Sequence, residues 1–255
     1  MKTDAGAYRS DPEPDGSRGE YALKTLIIVP AWNEEGNIRN TLADLQAHCP
    51  ECDVLVINDC SSDGTGKILR EDGIPFLDLP VNLGIGGGVQ AGYRYALRHG
   101  YDAAVQFDGD GQHRAEYIRD LLRPIEQGKA DVVIGSRFQN KTGFQSSRMR
   151  RTGIEFLSWL IRVLCGVRVL DVTSGMRAVN AEMIALYADH YAQDYPEPEA
   201  ILQAGLYGAR VTEVPVEMRE RAEGKSSIGA MRSVYYMIKV SLALVLERMF
   251  GVKRK

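Results

Sequence analysis

The amino-acid sequence predicts an α/β fold, a mostly parallel β-sheet covered by helices on both faces. Two observations carry this expectation. From Leu23 onward, short apolar runs with strand character alternate with helical segments, the order that builds parallel sheets buried on both sides. The polar motifs of the first half each follow directly on such a run, and in sheets of this kind ligands bind beyond the carboxyl ends of the strands. Those motifs therefore belong to one site.

Residues Met1 to Glu20 lack an apolar core and are rich in Asp, Gly, Ser and Pro. They read as a disordered leader rather than a secretory signal. TLIIVP (Thr25 to Pro30) reads as a buried strand, with a helix from about Asn37 to His48 after it. Asn33, Glu34 and Glu35 stand where they cap that helix. DVLVIND (Asp53 to Asp59) is the next strand, followed by a turn of Ser62, Asp63 and Gly64 and a helix opening near Thr65. IPFLDL is a weaker strand. The helix from about Gly86 to His99 starts in the glycine-rich NLGIGGGVQAG, which does not follow the first strand and reads GxGGG from Gly84. It is therefore not the dinucleotide fingerprint GxGxxG, and close packing of the helix is its expected role. AAVQFD and ADVVIGS are further strands, separated by a helix around Glu116 to Gln127.

The second half changes character. Arg137 to Arg151 reads as a polar, basic loop, and Thr152 to Val169 as a strongly apolar helix. SGMRAVN leads to a short helix, and YPEPE opens another that ends near Tyr207. VTEVPVEMRER is extended, RAEGKSSIG is a polar loop, and a long apolar helix runs from about Ser233 to Phe250. With no repeat and no Pro/Ser-rich linker, residues 21–232 read as one domain, followed by a C-terminal apolar helix at 233–255 with a basic end.

A net charge of −3 argues against nucleic-acid binding, which asks for a basic surface. Cys49 and Cys52 form a CPEC pair without a second pair or histidines at zinc spacing, so reduced thiols are expected. No uninterrupted apolar run reaches the roughly 18 residues that span a bilayer.

The most informative stretch is AAVQFDGDGQH, Ala103 to His113. A strand delivers Asp108 and Asp110 across Gly109, with Gln112 next. Carboxylates at i and i+2 can converge on one hard cation, and Mg²⁺ is usually held by one or two carboxylates plus substrate phosphates. DGDG alone is equally a solvated turn. Asp59, on an adjacent strand end, suits a ribose hydroxyl or a base edge.

Taken together, VPAWNEE, VINDCSSDGT, NLGIGGGVQAG, DGDGQH, GSRF, TSGMRAVN and RAEGKSS resemble, in order and spacing over roughly Leu23 to Ile228, the family-2 glycosyltransferases of GT-A fold, and most closely their polyprenyl-phosphate sugar synthases. The resemblance implies an inverting, metal-dependent hexosyltransferase of cell-envelope glycan synthesis. Its donor would be a UDP-, GDP- or dTDP-sugar. Its acceptor would be a polyprenyl phosphate or a lipid-linked glycan. It implies Mg²⁺ or Mn²⁺ on Asp108, Asp110 and Gln112, and a nucleotide pocket of Pro30, Ala31, Asn33, Glu35, Asp59 and Gly109. Arg137 and Arg221 would grip the diphosphate, with Ser226 supporting the second arginine's loop. Asp110, Glu197 and Arg221 would carry catalysis. Glu197 is either a general base for a sugar hydroxyl or a helix-start carboxylate.

A nucleotidyltransferase would carry a glycine-rich phosphate loop where this chain has PAWNEEGN. A non-catalytic relative would have lost Asp108, Asp110 or Arg221. The apolar helices and the basic end at Lys253, Arg254 and Lys255 suggest a peripheral enzyme at the cytoplasmic leaflet. A protein partner or homodimer contact is the other reading.

Overall fold

A computed structural model describes residues 23–139, 148–219 and 230–251. At its centre lies β1 (Thr25–Ala31), a run of β-branched and aliphatic residues buried along its whole length. On one side β1 pairs in parallel with β2 (Asp53–Asn58), Leu26 opposite Asp53, and β2 pairs in parallel with the short edge strand β3 (Phe76–Asp78). On the other side β1 pairs in parallel with β4 (Ala103–Gln106), Thr25 opposite Ala103. The sheet continues through β6 (Arg177–Asn180), β5 (Val132–Ser136) and β7 (Val211–Pro215), in the order β3-β2-β1-β4-β6-β5-β7. β6 runs antiparallel to both of its neighbours.

Because side chains alternate along a strand, β1 feeds two cores. Ile27 and Val29 point to α1 (Ile38–His48), α2 (Thr65–Glu71) and α4 (Ile118–Glu126), meeting Ile38, Leu45, Leu69 and Leu121. Leu26 and Ile28 face α3 (Gly84–Arg98), α5 (Arg148–Cys165), α6 (Ala181–Asp189), α7 (Pro196–Tyr207) and α8 (Ala230–Phe250). Val240 and Leu244 of α8 are fully buried in this second core. The glycines of α3 serve close packing: a Cβ at Gly92 would collide with Ile28, and one at Gly86 with the backbone of Ala192 and Gln193.

The structure departs from the sequence reading in four places. SGMRAVN contains β6, which the sequence reading did not foresee. The basic stretch after Arg137 is already helical from Arg148. Among the described residues of VTEVPVEMRER, sheet pairing covers Val211–Pro215. Finally, Asn33, Glu34 and Glu35 do not cap α1 with their side chains. Asn37 precedes its first residue without a side-chain cap, and the N–H groups of Asn37 and Ile38 donate to the carbonyl of Glu34.

Candidate active site

The carboxyl ends of β2, β1 and β4 lie side by side, and the segments that leave them wall a cleft of about 440 Å³. Pro30, Ala31, Trp32 and Glu34 come from the end of β1 and the turn after it, and Asp59 follows β2. Asn82, Gly84, Ile85 and Gly88 come from the start of α3, and Asp108, Gly109 and Asp110 follow β4. Six of the residues expected here, Pro30, Ala31, Asp59, Asp108, Gly109 and Asp110, are thus brought together.

Each acid is held by its neighbours. Asp59 is nearly buried; its Oδ1 accepts the N–H of Leu83 at 2.7 Å, and its own N–H donates to the carbonyl of Ala31 at 2.9 Å. Asn82 donates through Nδ2 to the carbonyl of Asp59 at 3.1 Å. The N–H of Asp108 donates to Nδ1 of the buried His113 at 3.1 Å, which leaves the ring proton on Nε2, 3.6 Å from Oδ2 of Asp108. Gln106 reaches Oδ1 of Asp108 at 3.4 Å and accepts the hydroxyl of Tyr191. Asp110 accepts the N–H of Gln112 at 3.1 Å. Gly109 lies close against β1, where a Cβ would stand 3.0 Å from the carbonyl oxygen of Pro30, tighter than most such contacts. Gly175, in the loop entering β6, plays the same part beneath Asp108, where a Cβ would lie 2.5 Å from Oδ2.

This donor set fits a hard divalent cation. Among the described residues no three His, Cys, Asp or Glu side chains converge as a metal cluster. Asp108 and Asp110 would therefore complete the shell with water and ligand oxygens, the usual arrangement of Mg²⁺ with a phosphorylated ligand. The carbonyl of Gln112 accepts the N–H of Arg219 at 2.8 Å, which ties the metal loop to the chain beyond β7.

Other expected residues stand elsewhere. Asn33 and Glu35 do not line the cleft; they latch the turn after β1 to the turn after β2. Oδ1 of Asn33 accepts the N–H of Ser62 at 2.8 Å, and Oε2 of Glu35 accepts that of Gly64 at 2.6 Å. Asn33 holds a positive φ of 56° to do so, a conformation asparagine tolerates better than most residues. Arg137 is bound inside the protein, with Nε and Nη2 each 2.7 Å from the carboxylate of Asp171 and Nη2 also 2.9 Å from Thr173. Arg221 and Ser226 lie outside the described residues, as do Lys253, Arg254 and Lys255.

The two acids of YPEPE part company. Burial raises the carboxyl of Glu197 above its ordinary range, with Arg177 pulling the other way and Asp108 adding to the rise. Arg177 is fully buried behind it and donates to the carbonyls of Ser174 and Glu197. Glu199 instead faces α8, where burial, Glu247 and Asp194 raise it to about 7. Sequence reasoning missed His113, Gln106, Gly175 and Trp32 as parts of this site. The signal in each case was no more than a place in a motif: His113 in DGDGQH, Trp32 in VPAWNEE, Gly175 in TSGMRAVN and Gln106 in the strand before Asp108.

Comparison with known proteins agrees with this geometry. Over residues 26–184 the chain matches the family model described as glycosyl transferase family 2. It is 31% identical to an undecaprenyl-phosphate mannosyltransferase of Micrococcus luteus, over 81% of this chain and 88% of that one. It is equally 31% identical to a polyprenol monophosphomannose synthase of Mycolicibacterium smegmatis, over 86% of each chain. The glucosyl-3-phosphoglycerate synthase of Mycobacterium tuberculosis, solved with Mn²⁺, uridine diphosphate and its product, shares the fold. Its TM-score is 0.66 at 18% identity, over 89% of this chain and 80% of that one. An acid-lined cleft at the ends of β1, β2 and β4 and a family match across the strands that build it lead to one conclusion: the chain belongs to glycosyl transferase family 2 and is a glycosyltransferase of GT-A fold.

Proposed function

We propose that this glycosyltransferase moves a sugar, with inversion, from a UDP-, GDP- or dTDP-sugar to a polyprenyl phosphate or a lipid-linked glycan in cell-envelope glycan synthesis. The observation that carries the reading is the cleft itself. Asp59 and Asn82 offer polar groups at one wall, and the Asp108–Asp110 pair stands at the other, so a nucleoside and its diphosphate fit along one line. Mg²⁺ or Mn²⁺ on Asp108, Asp110 and Gln112 would neutralise the leaving diphosphate. The guanidinium of Arg221, on the segment following Arg219, would share that charge, with Ser226 supporting its loop. Asp59 and Trp32 orient the nucleoside, and Gly109 lets the backbone approach it. Glu197 stands near enough to feel the charge of Asp108, and its raised carboxyl suits a base for a sugar hydroxyl. A phosphate acceptor is already an anionic nucleophile and asks for no base.

The lipid acceptor is supported by the activities of the two relatives and by two exposed apolar stripes. On α5 these are Phe156, Trp159 and Val163; on α8, Ile238, Leu242, Met249 and Phe250, the last 78% exposed. No described helix is long and apolar enough to cross a membrane. An amphipathic face of this kind suits the headgroup region, which supports the reading of a peripheral enzyme at the cytoplasmic leaflet.

The test is transfer assayed with UDP-, GDP- and dTDP-sugars, with Mg²⁺ and Mn²⁺, against polyprenyl phosphate, lipid-linked sugar and water-soluble acceptors. Flotation with anionic liposomes is read alongside. Because Val240 and Leu244 anchor α8, the flotation control is Ile238→Glu with Leu242→Glu rather than a truncation. Equal use of a water-soluble acceptor, together with no flotation, overturns the lipid assignment.

A further inference from the structure

Away from the cleft, the CPEC segment closes α1. Cys49 donates its N–H to the carbonyl of Leu45 at 2.8 Å, and the N–H of Cys52 returns to the carbonyl of Cys49 at 3.1 Å. The result is a hydrogen-bonded four-residue turn with Pro50 at its second position, where proline's fixed φ belongs. Such a turn brings its first and last Cα atoms within about 7 Å, and a disulfide spans Cα separations of about 4.4–6.8 Å. The two thiols stand close enough for each to shift the other's ionisation. Cys49 is buried and Cys52 is partly exposed.

The same turn moors the metal loop. Sγ of Cys49 donates to the carbonyl of Ala115 at 3.7 Å, in the interior. The N–H of Ala115 donates to Oδ2 of Asp44, one turn earlier on α1, at 3.1 Å. That oxygen also accepts Nη1 of Arg219 at 3.2 Å, and the N–H of Arg219 holds the carbonyl of Gln112. The residues from Gln112 to Ala115, immediately after Asp108 and Asp110, are therefore tied to the last two turns of α1.

We propose that Cys49 and Cys52 are a reversible dithiol–disulfide site, oxidised by a small-molecule disulfide, and that closing the bond loosens the loop carrying Asp108, Asp110 and Gln112. The coupling, though not the disulfide itself, rests on the metal reading above. In the first step the thiolate of the accessible Cys52 attacks the small disulfide, forming a mixed disulfide and releasing one thiolate. The sulfur of Cys49 then attacks that of Cys52, the protein disulfide forms, and the second small thiolate leaves. The two cysteine protons pass to the two released thiolates, and the protein's two electrons reduce the small disulfide. Cys52 lowers the Cys49 thiol, while the same contact and burial raise that of Cys52, so Cys52 attacks through the small fraction that ionises and Cys49 resolves the mixed disulfide readily as thiolate. Oxidised Cys49 has no S–H left to donate, so the carbonyl of Ala115 keeps the N–H of Ile118 but loses its tie to the end of α1. A loop this short gains little from closure, so excess thiol reopens it.

The full-length chain is treated with oxidised glutathione and then mapped by mass spectrometry, while Mn²⁺ binding is measured directly. Expected are a mass loss of about 2 Da, a peptide joined through Cys49 and Cys52, and Mn²⁺ binding weaker by roughly 2- to 10-fold, all reversed by dithiothreitol. Neither Cys49→Ser nor Cys52→Ser shows the mass loss or the oxidant-dependent change. Glutathione left on Cys52 or Cys60 with no internal bond overturns the dithiol. An internal disulfide with unchanged Mn²⁺ binding overturns the coupling. No Mn²⁺ binding by the reduced chain overturns the metal reading together with the coupling, and the independently read mass loss tells the cases apart.

Discussion

Arg137 and Asp171 form a forked ion pair in the interior: Nε and Nη2 of the arginine each lie 2.7 Å from one carboxylate oxygen of an aspartate with no solvent exposure. Asp171 also accepts the backbone N–H of Arg137 at 3.1 Å. The pair thus fixes the chain where it leaves β5, at the edge of the site. Arg137→Ala leaves a buried carboxylate without its partner and is expected to cost about 3–5 kcal/mol, read as a lower urea midpoint. Arg137→Lys restores charge without the fork and recovers only part of it. An unchanged midpoint in Arg137→Ala would mean that the arginine serves ligand and not fold.

The metal assignment has a steric as well as a chemical test. Asp108→Ala and Asp110→Ala abolish transfer and leave the melting temperature near that of the wild type, and EDTA does the same reversibly. Gly175→Ala pushes a methyl group against the carboxylate of Asp108. It is expected to weaken Mn²⁺ binding at least ~10-fold, about 1.4 kcal/mol, measured by titration of the metal. Full activity in EDTA would remove the metal from the reaction.

Arg221 is tested on the donor side. A charge-assisted contact is worth roughly 1.5–3 kcal/mol, so Arg221→Ala is expected to lower donor turnover at least ~10-fold. Arg221→Lys rescues it in part, because an ammonium lacks the planar fork. Wild-type kinetics in Arg221→Ala would tell against the diphosphate clamp.

Glu197 separates the two acceptor classes. Glu197→Gln removes the proton acceptor while keeping the shape. It is expected to be nearly silent with a polyprenyl phosphate and to lower turnover by about 10²–10⁴-fold with a sugar hydroxyl. The measurement is kcat for both acceptors with one donor, and equal losses on both would deny it the role of base.

Glu199 sets a pH dependence of stability. Its folded value of about 7 lies above the ordinary 4.5, so between those values the folded state binds more protons than the unfolded one. By linkage, stability then falls as pH rises through that window. Glu199→Gln is expected to stabilise the protein at pH 8 by about 1 kcal/mol, a figure discounted for the side chain's partial exposure. It does little near pH 4. Melting curves of both proteins across this range check it, and a gain independent of pH would point to packing instead.

Much of this protein is written locally in its sequence. The alternation of TLIIVP, DVLVIND, AAVQFD and ADVVIGS with helical segments determined the α/β class, and Asp59 and Asp108 were legible because a polar residue ending a parallel strand has to face the ligand edge of the sheet. What only the tertiary structure decided depends on partners far apart in the chain. RAVN is too short to announce a strand, and Arg177 looks foreign to a core. It becomes β6 because β4 and β5 each offer it an unpaired edge. Asn33, Glu35 and Arg137 carry the side chains of ligand contacts, yet their hydrogen bonds go to Ser62, Gly64 and Asp171. Glu197 and Glu199, two residues apart, face different surroundings because α7 turns one toward Arg177 and the other toward α8. A sequence lists which donors and acceptors exist, whereas pairing them across 29 or 34 residues is settled only when the sheet closes and each buried polar group has to find a partner.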